Sequence, residues 1–255
     1  MMDDRSALVA PSPRPPPREQ SLQGAITSQD VRALARRYQE DDGHLVLPGF
    51  LGGPLLDEAI AEVRRLMPSA HRSYVPFMRR GSAISHPAIA SSAPTLHAIQ
   101  GSPALLDFFQ QITGPTLEHR RADDPHASAL YVYTRARDHV SWHYDDCGCV
   151  PEASFTVLLG LVNRTTSQLQ IELFRRPGSG RRVIRSVSTE PGTLVFLCGT
   201  KAYHRVTPLR EGEERVAFSF VYVKDGHHPE GLARLRQNAI DSLLYFGIGS
   251  RRERR

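Results

Sequence analysis

Between residues 129 and 223 the chain consists of short β-branched or aromatic runs cut by turn residues, a pattern that restricts its fold more than any other feature. Residues 129–134, 155–162, 169–174, 182–186, 193–197 and 215–223 each have strand length and composition. Pro177-Gly178-Ser179-Gly180, Pro191-Gly192 and Glu211-Gly212 separate several of them. The first half reads differently. Val31, Leu34, Ala35 and Tyr38 recur at helical spacing behind Ser28, which is expected to cap the helix, and Gly43 ends it. His44-Leu45-Val46-Leu47 reads as a short strand. A second amphipathic helix over 54–67 carries Leu55, Ile60, Val63 and Leu66 as its apolar stripe. A third over 103–113 closes on Gly114-Pro115, and a last helix is expected over 229–244. Residues 70–94, rich in Ser, Pro and Arg, show no clear period. Helices followed by many short strands predict an α+β protein with a mainly β core, a sandwich or jelly roll buttressed by N-terminal helices.

A chain of 255 residues can bury one sizeable core, so a single domain over 25–255 is expected. Residues 1–24, with five prolines between Pro11 and Pro17, read as a disordered leader with no apolar core for a secretory signal. No apolar run reaches the roughly 18–20 residues of a membrane span. The expectation is a soluble, cytoplasmic protein. Cys147 and Cys149 flank Gly148 and Cys198 stands alone, which suggests neither a disulfide framework nor a zinc site. The net charge of +5 raises the question of nucleic acid. Its arginine clusters, Arg175-Arg176, Arg181-Arg182 and the 251–255 tail, lack the interleaved aromatic residues of a stacking groove, so nucleic acid is not expected as a partner.

The stretch that carries chemistry runs from Tyr131 to Asp145. On an extended segment residues two apart share a face, so His143 and Asp145 can offer an imidazole and a carboxylate to one metal. His204, 59 residues beyond Asp145 and behind the 192–197 run, qualifies as the third ligand. Two histidines and one carboxylate on one face of an octahedral ion leave three positions open, an arrangement suited to iron(II). Alone, a His-x-Asp tripeptide is weak evidence. Eleven residues beyond His204, however, Arg215 enters a strand, and an arginine directed into a barrel is costly unless it meets an anion. A dicarboxylate cosubstrate matches its planar fork.

With these residues in place the sequence resembles the 2-oxoglutarate/iron(II)-dependent dioxygenases. His143-Tyr144-Asp145, His204 and Arg215 look like that superfamily's His-x-Asp…His…Arg signature, and residues 191–196 and 204–209 are similar to the second half of its fold. Within it the chain looks closest to small stand-alone bacterial hydroxylases and halogenases of free amino acids. The resemblance implies a double-stranded β-helix (cupin-like) holding iron(II) through His143, Asp145 and His204. 2-Oxoglutarate would be clasped by Arg215, with oxygen as second cosubstrate and succinate as product. Many members place the basic residue one position earlier, so a small bulge at Glu213-Glu214 is expected, with Arg210 as the alternative clasp. In related halogenases the position of Asp145 is Gly or Ala, which frees a site for chloride. The carboxylate here points to hydroxylation or another oxidative outcome rather than chlorination. Asp146 reads as a solvated neighbour.

Further roles follow from the same likeness. Tyr131 and Tyr133 share a strand face that reaches the cosubstrate or simply packs in the core. Thr156 and Ser219 are candidate hydrogen-bond donors to a carboxylate. Arg79 and Arg80 are candidate binders of a substrate carboxylate, and Tyr203 is expected to line the pocket. Trp142 and Tyr144 read as packing residues, and His44, His97 and His119 need no role. The expected substrate is a small, amino-acid-like molecule. A nucleic-acid dealkylase of the same superfamily would carry a second arginine about six residues after the first, where Val221 stands here. A non-catalytic β-barrel binding protein is the remaining alternative. Oligomeric state is not legible.

Overall fold

A computed structural model describes residues 17–124, 126–145, 150, 152–174, 183–226 and 242–247. Helices come first: α1 (Pro17–Thr27), α2 (Val31–Glu40), α3 (Gly53–Leu66), α4 (His86–Ser92), α5 (Pro94–Gln100) and α6 (Pro103–Thr113). Strands β1 (His44–Leu47), β2 (His71–Val75) and β3 (Arg79–Ser85) interleave with them, so the region without a sequence period is largely a hairpin. The rest is β4 (Leu117–His119), β5 (Ser128–Tyr133), β6 (His139–His143), β7 (Ser154–Arg164), β8 (Leu169–Leu173), β9 (Val183–Val187), β10 (Leu194–Cys198), β11 (Tyr203–Val206) and β12 (Glu214–Lys224). Every strand pair is antiparallel, in the order β1-β10-β7-β12-β5-β3-β6-β11-β8-β9. β3 pairs with β5 through its C-terminal half and with β6 through Arg79 and Arg80, so one strand carries the sheet from its large wall to its small one. This is the jelly-roll arrangement expected of the sequence.

Alternation along the strands builds two cores. On β10, Leu194, Phe196 and Cys198 face the helices, while Val195 and Leu197 face the barrel interior with Leu169, Ile171 and Val206. On β12, Val216, Phe218, Phe220 and Tyr222 join the helix-side core. There the Phe196 ring stacks on Phe109 of α6 at 4.1 Å and on Phe155 of β7 at 5.6 Å. Glu62 of α3, buried, accepts hydrogen bonds from the backbone N–H groups of Thr95 (2.8 Å) and Leu96 (3.1 Å), placing a carboxylate on the first turn of α5.

Three details depart from the sequence reading. The N-cap of α2 is Asp30, whose carboxylate accepts from the Ala33 N–H at 3.0 Å, because Ser28 lies two residues too early. Residues 17–24, read as leader, belong to α1: Pro17 opens the helix, and Leu22 and Ile26 bury against the helical core. Residues 1–16 of that leader, the Cys147/Cys149 pair, Asp146, the internal arginine clusters, the 251–255 tail and most of the expected last helix lie outside the described residues. No described helix is long and apolar enough to cross a membrane.

Gly192 fixes how β10 joins the helical layer. Its φ is +81°, and a Cβ there would lie 2.0 Å from the Leu51 carbonyl oxygen, to which Gly192 is already close through the Leu51 N–H···O=C Gly192 bond of 3.0 Å. Gly192→Ala is therefore expected to destabilise the protein by about 2–3 kcal/mol, or roughly 5–10 °C in Tm. Urea unfolding followed by circular dichroism checks this; an unchanged midpoint would mean the 51–192 contact yields freely.

Candidate metal centre and cavity

His143 ends β6 and His204 lies on β11, and the two are directly paired across the antiparallel ladder. Their imidazole centroids are 4.3 Å apart. Two residues beyond His143, Asp145 brings its Oδ1 to 3.3 Å from His143 Nε2 and 3.7 Å from His204 Nε2. One ligand atom from each residue falls within 4.8 Å of the others. The ladder shifts register between His204 and Val206, so that β6 spends one residue more than β11. That bulge lets Val140 and His143, three positions apart, both line the interior.

The protonation of the rings is set by the backbone. His143 Nδ1 sits 2.9 Å from the Ser141 carbonyl and His204 Nδ1 2.8 Å from the Ala202 carbonyl. A carbonyl only accepts, so each Nδ1 carries the hydrogen and each Nε2 presents a lone pair toward Asp145. Burial alone would raise the Asp145 carboxyl, but the adjacent His204 and His143 hold it well below the usual carboxylate range. Burial lowers His204. His143, also pushed down by burial, ends above its ordinary value because the negative charge of Asp145 beside it favours the protonated ring while no metal is bound. The three atoms thus form a cluster of two neutral nitrogen donors and one anionic oxygen, the chemistry of a divalent-metal site.

The cluster borders a cavity of about 280 Å³. Tyr131, Tyr133, Thr156, Ser219 and Arg79, all anticipated, line it, and so do Met78, Tyr144 and Tyr245. Arg79 is buried, with its guanidinium between the rings of Tyr131 (5.0 Å) and Tyr245 (4.9 Å). One nitrogen donates to the Ser82 carbonyl at 3.1 Å, and Nε and Nη1 are buried without a hydrogen-bond partner. Gly81 is required beside it, since a Cβ there would stand 2.7 Å from the Tyr133 ring.

Two expectations are corrected. Arg80 alternates to the opposite face of β3, where Asp138, buried and held by both arms of Arg72 at 2.7 and 2.5 Å, lies 3.9 Å away. Tyr203, one residue before His204, also faces outward and stacks on Trp142 at 5.4 Å, with Arg205 over the same indole. Tyr144, by contrast, was read as packing and lines the cavity while touching Tyr203.

Arg215 is fully buried at the start of β12, directly across from Tyr133. It is not itself a cavity-lining residue, but alternation puts it on the interior face with Ser219 and Val221. Its Nε and Nη1 have no hydrogen-bond partner, and burial pushes its pKa down to about 10. The bulge expected at Glu213-Glu214 is absent: β12 runs in register with β7 from Glu214 to Val216 and with β5 from Arg215 to Phe220. The irregularity lies on β7 at Leu161, unmatched between Gly160 and Val162. Arg210 is exposed and out of reach of the interior, its backbone N–H bonded to Glu213. A buried guanidinium with two unmet N–H groups is a costly arrangement that a bound carboxylate would relieve.

Comparison with known proteins extends this picture. The family model described as Halogenase D matches residues 26–240. Among solved structures, the non-heme alpha ketoglutarate dependent epimerase SnoN from nogalamycin biosynthesis shares 19% identity over 80% of this chain and 86% of its own, with a TM-score of 0.66. EctD from S. alaskensis, solved with 2-oxoglutarate and 5-hydroxyectoine, shares 15% over 78% of this chain and 77% of its own, with a TM-score of 0.60. A prolyl-4-hydroxylase from Pseudomonas putida shares 16% over 76% and 98%, with a TM-score of 0.57. At such identities the likeness is one of fold, the double-stranded β-helix. No curated protein matches the chain.

If Arg215 is an unpaired charge in the ligand-free protein, Arg215→Met is expected to leave that protein at least as stable, with a gain of up to roughly 1–3 kcal/mol. Thermal unfolding reads this directly. A loss of similar size would reveal a protein partner for the guanidinium.

Proposed function

The chain belongs to the Halogenase D family, and from that premise we propose that it is an iron(II)- and 2-oxoglutarate-dependent oxygenase that hydroxylates an unactivated C–H bond of a small, amino-acid-like substrate in the cytoplasm. The observation that carries the reading is the donor set itself: two imidazole Nε2 atoms and one carboxylate oxygen, all within 4.8 Å, at the wall of the cavity. Nitrogen and hard oxygen donors without thiolate suit iron(II), and three protein ligands leave positions for a chelating cosubstrate and oxygen. Arg215 meets the second requirement. Its unmet N–H groups match the distal carboxylate of 2-oxoglutarate.

Iron(II) held there would supply the oxidising power together with 2-oxoglutarate and oxygen, 2-oxoglutarate losing carbon dioxide as one oxygen atom goes to succinate and the other to the substrate. The chain's own groups provide the rest. Ser141 and Ala202 carbonyls hold both imidazoles in the tautomer that binds metal. Tyr133, across the ladder from Arg215, and the hydroxyls of Thr156 and Ser219 offer hydrogen bonds to the cosubstrate carboxylates. Leu158, Leu169 and Val206 keep water from the inner end. Arg79, held between Tyr131 and Tyr245, takes the substrate carboxylate through its unmet N–H groups.

Asp145 decides the outcome. A carboxylate at this position occupies the place a halide would need, so hydroxylation is the favoured result despite the family's descriptive name. Epimerases share the fold, and the fate of the substrate depends on its placement to within an ångström or so.

Anaerobic addition of iron(II) and 2-oxoglutarate is expected to give a weak visible absorption band that His143→Ala abolishes and Arg215→Ala weakens. Protein that retains no iron and gives no band would falsify the reading. Asp145→Gly is expected to lower hydroxylation by roughly a hundredfold or more, measured as product formed per succinate released.

A further inference from the structure

The end of the cavity remote from Arg215 carries a guanidinium that the reading above leaves unused. β12 spans the interior from Arg215 to Val221, about 20 Å of strand. Beside Val221 stands Arg120, which lines the cavity and whose backbone N–H donates to the Val221 carbonyl at 3.2 Å. Its side chain is 10% exposed. Nε donates to Asp124 Oδ2 at 2.9 Å. Asp124 is buried and pinned by the His126 N–H on its Oδ1 at 2.9 Å, in a turn closed by the Ala127 N–H on its carbonyl at 3.0 Å. Asp124 therefore fixes the guanidinium by one edge. The two terminal nitrogens make no hydrogen bond to a described residue.

His126 and Ser154 line the same end, and the ring of His126 meets Tyr245 edge-on at 5.8 Å. Among the described lining residues the only carboxylate is Asp145, already committed to the metal cluster. Two guanidiniums, Arg79 and Arg120, thus line the cavity, and among the described lining residues no carboxylate outside the metal cluster accompanies them. A basic side chain would meet like charge, whereas a carboxylate would find a pair of parallel N–H donors.

We infer that the substrate carries a second carboxylate, received by the terminal nitrogens of Arg120, so that it is an acidic, amino-acid-like dicarboxylate rather than a neutral or basic one. This rests on the oxygenase reading. It adds that Arg120, aligned by Asp124, selects the substrate's far end.

The test is calorimetric titration of L-aspartate, L-glutamate, L-2-aminoadipate, L-glutamine and L-lysine into anaerobic protein loaded with iron(II) and 2-oxoglutarate. At least one acid is expected to bind about tenfold or more tighter than glutamine, a charged hydrogen-bond pair's worth of discrimination, and lysine is expected not to bind. Arg120→Met is expected to remove the preference, with the visible band checking that the metal centre still assembles. Arg120→Gln, which keeps a donor for Asp124, replaces it if the first variant does not fold. Glutamine or lysine binding as tightly as every acid, or an unchanged preference in the folded variant, overturns the inference. Loss of the band in the wild type overturns the oxygenase reading instead, and the same titrations on metal-free wild type and variant then report on Arg120 alone.

Discussion

The pairing of β6 with β11 is the contact on which the site depends. An antiparallel ladder sets His143 opposite His204, and the carbonyls two residues earlier in the chain, those of Ser141 and Ala202, turn both Nε2 atoms toward Asp145. A slip of one residue would send one imidazole outward, because alternate side chains leave opposite faces. The bulge in β6 is part of the same device. It allows an apolar residue, Val140, and a ligand, His143, to share the interior although their separation is odd.

The interior is strained electrostatically rather than sterically. Arg79 and Arg215 are among the most buried large side chains of the protein, and each keeps two nitrogens without a partner. Left alone, such groups oppose folding. The helix-side core offsets them, with the Phe109–Phe196–Phe155 stack and the apolar faces of β7, β10 and β12 sealing the large sheet against α2, α3 and α6. On β12 the even positions, Val216 to Tyr222, build the largely aromatic helix-side wall, while Ser219 and Val221 line the cavity. The same chain segment therefore supplies both the stability and the groups that oppose it, a common arrangement at binding sites.

Much of this was legible without coordinates. The strand runs, the three main N-terminal helices, the His-x-Asp pair and the arginine eleven residues after His204 depend on local period and spacing, and all appear nearly where the pattern puts them. Misreadings came where a distant partner decides. Ser28 and Asp30 are both acceptable caps, and only the start of α2 chooses Asp30. Arg79 and Arg80 are equivalent in sequence, and the pleat of β3 alone sends one inward and the other toward Asp138. Arg120, in an Arg-Arg-Ala-Asp-Asp run, carries every sign of a solvated loop, and nothing local reveals that β4 and β12 bring it to the cavity wall.

The sequence by itself determined which residues exist to bind a metal and an anion, and the two-residue strand period that keeps His143 beside Asp145 and Arg215 on one face with Ser219. Those are consequences of chain geometry over a few residues. Only the tertiary structure decided that His204 meets them, that Tyr144 turns in, and that Arg120 joins the cavity. Each of these depends on strand registers between segments tens of residues apart, which are fixed by burying the large sheet against the helices and not by any local preference.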